Sequence, residues 1–246
     1  MLADVLTVMW KERKSLFRQP GSRIRATLNL AIPFGMLGIY GPLTGPDWMQ
    51  SAFAVILSSL MTVLLVATVI PDSFAGERER HTLASLLATR LSDRAILFGK
   101  LGVAVLYGFG VTLAGLIAGV VTANIAYRGD GLIFYSPGIA VACVVMSFLV
   151  AGLMACGGAL ISLRAATVQG ATQTLMAIMF TPLLILQVGG VLLLSLAPDR
   201  QVIREAASAV DPMLVFAFWV AILLFVDLFL LALAITRFQR SRLIAA

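Results

Sequence analysis

Charged side chains, histidine and cysteine are scarce in this chain of 246 residues. Only 12% of the residues are Asp, Glu, Lys or Arg, whereas 60% are hydrophobic, and the mean hydropathy is +1.00. A water-soluble domain of this size would expose large apolar patches, so the composition excludes that class of protein. One histidine and two cysteines cannot build a cysteine–histidine metal cluster. We therefore expect lipid to be the solvent.

Long apolar runs fill the chain, and they are continuous, whereas the strands of an outer-membrane barrel alternate apolar and polar residues. A helix needs about 20 mostly apolar residues to cross roughly 30 Å of hydrocarbon. We therefore predict an all-α integral membrane fold with a single transmembrane domain over residues 1–246. Its six predicted spans are approximately 26–42, 52–73, 95–124, 138–162, 170–197 and 213–236. Pro33, Gly35 and Gly38 predict a kinked or irregular first span.

The basic residues indicate how these spans are oriented. If the N-terminus is cytoplasmic, six crossings return the C-terminus to the cytoplasm, and all but three of the 18 Lys and Arg residues then lie inside. The exceptions are Arg128, Arg200 and Arg204. Because positive charge collects on the cytoplasmic side, we predict a multi-pass protein of the inner (plasma) membrane with both termini inside. Anionic headgroups account for the net charge of +6 without a nucleic-acid partner.

Residues 1–19 predict an amphipathic helix on the cytoplasmic membrane surface. Apolar side chains recur there at spacings of three, four and seven, as expected for one stripe along a helix, namely Leu2, Val5, Leu6, Met9, Leu16 and Phe17. Trp10 stands where an interfacial ring is favoured, and Pro20-Gly21 ends the helix. A simple membrane anchor would account for this pattern, and so would a helix with a further role.

Residues 75–94, AGERERHTLASLLATRLSDR, form a charged interruption between the second and third predicted spans. Glu77 and Arg80 are three residues apart on a helical extension and can pair, and Thr82 can cap a short helix that follows. Three leucines fall on one face of that helix, Leu83, Leu86 and Leu87. Because a two-turn helix is not stable alone in water, this face must rest on the protein itself or on a partner.

The stretch FAGERERHTLASLLATRLSDRAILFGKL, residues 74–101, resembles the signature of ABC-2-type transporter permeases, the membrane subunits of one class of ABC exporters. That signature has a Gly-Glu-Arg-Glu-type run, then Gly-Thr-Leu-Glu, Leu-Leu and Pro-Leu-Ser, and a Gly-Lys at the next helix. The matching residues are Gly76, Glu77, Arg78, Glu79, Arg80, Thr82, Leu83, Leu86, Leu87, Leu91, Ser92, Gly99 and Lys100. His81 replaces the usual glycine, Ala84 the usual glutamate and Arg90 the usual proline.

The resemblance implies a coupling helix between spans two and three that docks in a cleft on a separate cytosolic ABC ATPase subunit. Its leucines would supply an apolar contact. The flanking charges would supply a polar rim, formed by Glu77, Arg78, Glu79 and Arg80. The alternative is a structural re-entry turn whose charges are merely solvated.

No nucleotide chemistry is expected in this chain. Gly99-Lys100 follows no glycine-rich loop and precedes Leu101 rather than Ser or Thr, so it is not a P-loop. We predict no catalytic residue, metal site or cofactor here, and ATP and Mg²⁺ would bind to the partner ATPase. Because six spans are about half of what such transporters use, the resemblance also implies a dimer with a second permease subunit, identical or different.

A translocation path is expected where spans two and five face each other across the dimer axis, as the resemblance implies. The candidates are Ser58, Ser59, Thr62 and Thr68 on span two, and Gln169, Gln173, Phe180 and Gln187 on span five. Such side chains line a polar route or join helices by hydrogen bonds. The short external loops hold no folded domain, which favours export of a hydrophobic or amphiphilic substrate.

Asp227 is the one acid deep in a predicted span. It predicts a structural hydrogen bond, or else a proton- or cation-coupling role. Asp72 is expected to pair with Lys100 near the inner surface. Two rival functions use these features differently: an intramembrane enzyme would need a catalytic Glu77, and an ion- or proton-coupled secondary transporter would need inverted repeats that the sequence does not display.

Overall fold

The computed structural model describes residues 1–18, 30–82, 89–128, 131–196 and 211–238. In these ranges the chain forms helices and connecting segments and no strand. The helices are α1 (Leu2–Arg18), α2 (Leu30–Leu43), α3 (Ala52–Glu79), α4 (Asp93–Ala126), α5 (Pro137–Ser162), α6 (Val168–Leu196) and α7 (Pro212–Arg237). A 3₁₀ helix, Pro46–Gln50, precedes α3.

Among the described residues, four helices are long and apolar enough to cross a membrane, namely Ala52–Glu79, Asp93–Ala126, Pro137–Ser162 and Met213–Arg237. They coincide with four of the predicted spans and indicate a multi-pass membrane protein. The fifth predicted span falls on α6, and the first overlaps α2, whose 14 described residues extend about 21 Å, short of the hydrocarbon thickness. Residues 26–29 of that predicted span lie outside the described residues.

Polar side chains begin each of the four long helices by capping an otherwise unpaired backbone N–H. The side-chain oxygens of the four caps accept from a backbone N–H at 2.9–3.4 Å. They are Ser51 from Phe53, Ser92 from Ala95, Ser136 from Ile139 and Asp211 from Met213. A capping side chain of this kind typically stabilises a helix by about 1 kcal/mol. These short polar residues therefore determine where each apolar run becomes a helix.

Helix α2 is irregular, as its proline and glycines predicted. A π-helical segment, Met36–Tyr40, interrupts it and brings Leu37 into the core. The helix lies close to α4, because a Cβ at Gly119 would stand only 2.8 Å from the Leu37 carbonyl oxygen. Gly115 and Gly119 are thus packing positions, the use that small residues commonly have between membrane helices.

Helix α1 packs against the beginning of α4, and its buried face differs from the predicted stripe. Val8 and Glu12 are buried, whereas Leu2 and Leu6 of the stripe are exposed. The contact with α4 is close at Gly99, where a Cβ would stand 2.6 Å from Val8. The predicted stripe is thus only partly exposed, because Met9 and Leu16 are partly buried and Leu16 packs against the core. These residues hold α1 to the bundle together with the mixed face of Val8 and Glu12.

The connections gather at two opposite ends of the bundle. At one end, which we call the basic end, α1 meets the start of α4, and the Phe74 ring packs edge-on against Phe238 with centroids 5.9 Å apart. At the other end, Tyr127 donates to the Leu43 carbonyl, and the Ser136 N–H donates to that of Met49. The described parts of both chain ends thus lie at the basic end.

Candidate functional site

A buried lysine lies at the centre of the basic end. The Lys100 side chain is 0% exposed, and its ammonium group lies 3.0 Å from an oxygen of Glu12 and 3.0 Å from Oε2 of Glu77. It also donates to the Ser73 carbonyl at 2.5 Å. The Glu77 Oε2 contact is an ion pair without hydrogen-bond geometry. A buried ammonium group is costly unless it is paired, so these contacts are what permit Lys100 to be buried.

A second lysine balances the charge of the cluster. Lys11 donates to Oε1 of Glu77 at 2.5 Å and lies 3.3 Å from Glu12. Burial lowers its pKa, but the hydrogen bond to Glu77 and the charges of Glu12 and Glu77 outweigh that effect and raise the pKa above 10.5. We call Lys11, Glu12, Glu77 and Lys100 the charge network. With two cations and two anions, it is neutral.

The charge network joins three elements that are far apart in sequence. Lys11 and Glu12 belong to α1, Glu77 to the last turns of α3, and Lys100 to the first turns of α4. An open cleft of about 440 Å³ lies beside it and extends to Arg80, Thr82 and Thr89. The cleft therefore borders the residues on either side of positions 83–88, the part of the predicted coupling helix that we call the coupling segment.

The remaining charges of the Gly-Glu-Arg-Glu-Arg run fix the α5–α6 connection and the end of α3. Arg78 donates to the carbonyls of Leu163 and Ala165, at 2.6 and 3.1 Å, and a Glu79 oxygen accepts from the Val168 N–H at 3.2 Å. These residues are thus engaged with the chain itself, beyond any role as a polar rim.

Two expected ion pairs are replaced by others. Glu77 was expected to pair with Arg80, but the carboxylate turns to the two lysines because its buried side faces α1 and α4. Asp72 was expected to pair with Lys100, but the ion pair in the structure joins Asp72 to Arg80 at 2.5 Å. Asp72 and Arg80 are eight residues, about two helical turns, apart, so one face of α3 brings them together.

Helix α3 ends in a Schellman motif at the position where the coupling segment begins. The His81 N–H donates to the Arg78 carbonyl and the Thr82 N–H to that of Glu77, at 3.0 and 2.9 Å. His81 adopts a φ of 55°, the left-handed conformation that glycine prefers at this position. The Thr82 hydroxyl also donates to the Glu77 carbonyl, at 3.2 Å. The predicted helix with Leu83, Leu86 and Leu87 lies outside the described residues.

The polar residues proposed for a path on span two lie mostly inside the bundle. Ser58 and Thr62 are fully buried, and the Thr62 hydroxyl is 2.8 Å from that of Thr112 on α4. Ser59 is half-buried and Thr68 exposed, and both hydroxyls donate to carbonyls of their own helix. At Ser58 and Thr62 this arrangement matches the alternative in which such residues join helices.

The candidates on span five are arranged differently. Gln169 and Gln173 are exposed on one side of α6, and Phe180 is partly buried. The side chain of Gln187 lies outside what the structure describes. An exposed glutamine on an apolar helix needs a polar neighbour from another subunit or from water. The structure thus leaves a polar strip of α6 uncovered, at Gln169 and Gln173, and covers much of the polar surface of α3.

Asp227 lies on α7 and faces α5 at Gly152. A Cβ at Gly152 would stand 3.0 Å from Oδ2 of Asp227, so glycine favours this close approach. Its Oδ1 is buried and has no hydrogen-bond partner among the described residues. The expected structural hydrogen bond is therefore not made by this oxygen.

The described residues contain no group of three or more His, Cys, Asp and Glu side chains that could hold a metal ion. Comparison of the chain with models of known protein families gave no match, and comparison with curated proteins gave none either. The charge network, the cleft beside it and the described residues on either side of positions 83–88 therefore define the candidate functional site from this chain's own geometry.

Proposed function

We propose that this chain is the membrane-spanning permease subunit of an ATP-driven exporter, powered by a separate cytosolic ATPase that docks at residues 83–88. It exports a hydrophobic or amphiphilic substrate from the cytoplasm or the inner leaflet. The proposal rests on the resemblance of residues 74–101 and on the way in which the charge network connects that region to the rest of the bundle.

The distribution of cations supports six crossings with both termini in the cytoplasm. The basic end carries Lys11, Arg78, Lys100 and Arg237, which come from the first, middle and last parts of the chain. The opposite end carries Arg128, just after α4. Because positive residues favour the cytoplasmic side, the basic end is assigned to the cytoplasm of a cell with an inner (plasma) membrane.

The single observation that carries the proposal is the position of the charge network, which joins the ends of α3 and α4 on either side of the coupling segment. A connection that merely returned the chain to the membrane would need only a solvated turn. Here the residues before and after the segment are tied by buried ion pairs to α1 and to each other, and Arg78 ties them to the α5–α6 connection. A displacement of residues 83–88 by a bound partner would therefore be transmitted through short polar contacts to α1, α3, α4 and the α5–α6 connection.

A second permease subunit is also part of the proposal. The uncovered strip of α6 at Gln169 and Gln173 lies in the first turns of that helix, beside the basic end, and an identical or related subunit would cover it. Gln169 and Gln173 of both subunits would then line a translocation path between them, together with exposed residues of α3 such as Thr68. Ser58 and Thr62 contribute to packing in this arrangement.

The test is co-purification of this chain with an ABC ATPase that is co-expressed with it. The variant Leu86→Asp/Leu87→Asp places two charges on the proposed docking face, and we expect loss of the complex and of ATP-driven export. A matched control is Leu132→Asp/Phe134→Asp, which also places two acids at exposed apolar positions, but at the opposite end. This control should leave assembly intact. Full assembly and transport in the Leu86/Leu87 variant would contradict the proposal.

The proton-coupled alternative depends on Asp227, whose buried Oδ1 lacks a partner among the described residues. It predicts transport by the chain alone, driven by a pH gradient and lost on Asp227→Asn. The exporter predicts no transport without the ATPase. Reconstitution of the purified chain alone therefore separates the two functions.

A further inference from the structure

A long apolar groove runs along the outside of α4, between α1 and α2. Its first part, about 520 Å³, is lined by Met9, Trp10 and Arg13 of α1 and by the face of α4 from Val103 to Val111. A second cavity of about 430 Å³ continues it between Phe34 of α2 and Ala114 of α4. Val111 lines both cavities, so they form one groove along α4.

The groove has the length of one leaflet. From Val103 to Ala114 is eleven residues, which corresponds to about 16 Å along a helix and roughly half of the 30 Å hydrocarbon core. A Cβ at Gly110 would meet no atom of the described residues within 4 Å, so the middle of the groove is open within the described part of the chain. Its walls are apolar, and Leu106 and Trp10 are each 57% exposed at its rim.

The end of the groove at the basic end carries uncompensated positive charge. Arg13 lines it, is exposed, and makes no ion pair within the described part of the chain. The acids of α1 are engaged elsewhere, since Asp4 pairs with the N-terminus and Glu12 with Lys11 and Lys100. Lys14 adds a second cation beside the groove, 4.6 Å from the centre of the Trp10 ring.

We propose that this groove is a binding site for an anionic phospholipid of the leaflet at the basic end. One acyl chain occupies the groove along Val103–Ala114, and the phosphate of the headgroup contacts Arg13. The apolar walls, the length of one leaflet and the cations at the interfacial end, Arg13 and Lys14, together favour a lipid that places one acyl chain in the groove and carries a negative headgroup. This inference depends on the chain's membrane location and not on its proposed transport function.

Trp10 lines the site and provides the measurement. In a Trp48→Phe/Trp219→Phe background it is the sole tryptophan. The full chain is reconstituted in phosphatidylcholine nanodiscs to which phosphatidylglycerol or phosphatidylcholine with a brominated acyl chain is added, and quenching of Trp10 reports lipid in the groove. We expect phosphatidylglycerol to associate about five-fold more strongly, which corresponds to about 1 kcal/mol for one basic residue near an anionic headgroup.

Two pairs of variants decide the result. Arg13→Gln should reduce the preference to near unity, whereas Arg94→Gln, which removes an exposed arginine at the same end but outside the groove, should leave it unchanged. Gly110→Leu should fill the groove and reduce quenching by both lipids. Its control, Gly138→Leu, alters another glycine with open surroundings and should not reduce quenching.

The proposal is overturned if the two lipids quench Trp10 equally, or if Arg13→Gln and Arg94→Gln lower the preference by the same factor, since general surface charge would then explain it. It is also overturned if Gly110→Leu leaves quenching unchanged, or if neither lipid quenches because another part of this chain or a second copy occupies the groove. Thermal unfolding of each variant shows whether its fold is retained.

Discussion

Replacing Lys100 by methionine tests the charge network directly. Methionine keeps much of the length of the lysine stem and removes the charge, so the change leaves little empty space. The side chains of Glu12 and Glu77 are each only 9% exposed, and in the variant they share Lys11 as their remaining cation in the network. The neutral cluster thus acquires a net charge of about −1 in a poorly hydrated place.

The expected cost follows from what happens to the carboxylates. Removing one partner of a buried ion pair destabilises a protein by roughly 3–5 kcal/mol, because the other charge stays buried without compensation. Lys11 still neutralises part of the charge, so we expect the lower end, about 3 kcal/mol. For a chain of this length, that corresponds to a fall in the midpoint of thermal unfolding of roughly 6–12 °C.

The assay is thermal unfolding of the purified chain in detergent, followed by size-exclusion chromatography. Lys11→Met is the matched control, since Lys11 is 47% exposed and a pair of that exposure contributes at most about 1 kcal/mol. The double variant Glu77→Gln/Lys100→Met restores neutrality with Lys11 and Glu12, and it should recover much of the loss. If Lys100→Met unfolds at the same temperature as Lys11→Met, the network does not hold the three elements together.

Three further outcomes follow from individual contacts. His81→Gly should raise the unfolding midpoint by roughly 2–4 °C, because glycine adopts the positive φ of the Schellman motif at about 1 kcal/mol lower cost, and a lower midpoint would contradict this. Gly99→Ala should separate α1 from α4, since a Cβ there would stand 2.6 Å from Val8. Its midpoint should fall well below that of Gly110→Ala, where a Cβ meets no described atom within 4 Å. Because the pKa of Lys11 is raised in the folded chain, its stabilising contribution should be constant below pH 10.5 and decline above it. The difference between wild type and Lys11→Met, followed from pH 7 to 11, measures this decline.

The continuity and length of the apolar runs were sufficient to predict the main helices. The predicted spans at 52–73 and 138–162 coincide closely with α3 and α5, because lipid requires a continuous apolar run and the capping residues mark where it starts. Pro33, Gly35 and Gly38 also predicted the irregular α2, since proline removes a backbone donor and glycine permits close approach.

The partners of the charges could not be predicted, because they depend on how distant elements meet. The three-residue spacing predicted an ion pair between Glu77 and Arg80, yet Glu77 pairs with lysines of α1 and α4. The signals for the network were present but ambiguous: Glu12 interrupts a basic run on α1, and Lys100 stands beside the apolar beginning of a span. Each reads equally well as a solvated surface charge until the packing of α1 on Gly99 is known.

A buried ion network contributes little net stability compared with apolar packing, and we expect this one to restrict geometry, since a displacement would separate charges in a poorly hydrated place. A fixed geometry suits the position of the charge network between α1, α3 and α4. Apolar contacts between α1, α3 and α4 could slide by a fraction of a turn, whereas Lys100 accepts only the position where Glu12, Glu77 and the Ser73 carbonyl converge. A partner pressing on residues 83–88 would therefore move the ends of α3 and α4 together with α1, which is the rigid response that the proposed transport cycle requires and that a hydrated turn could not give.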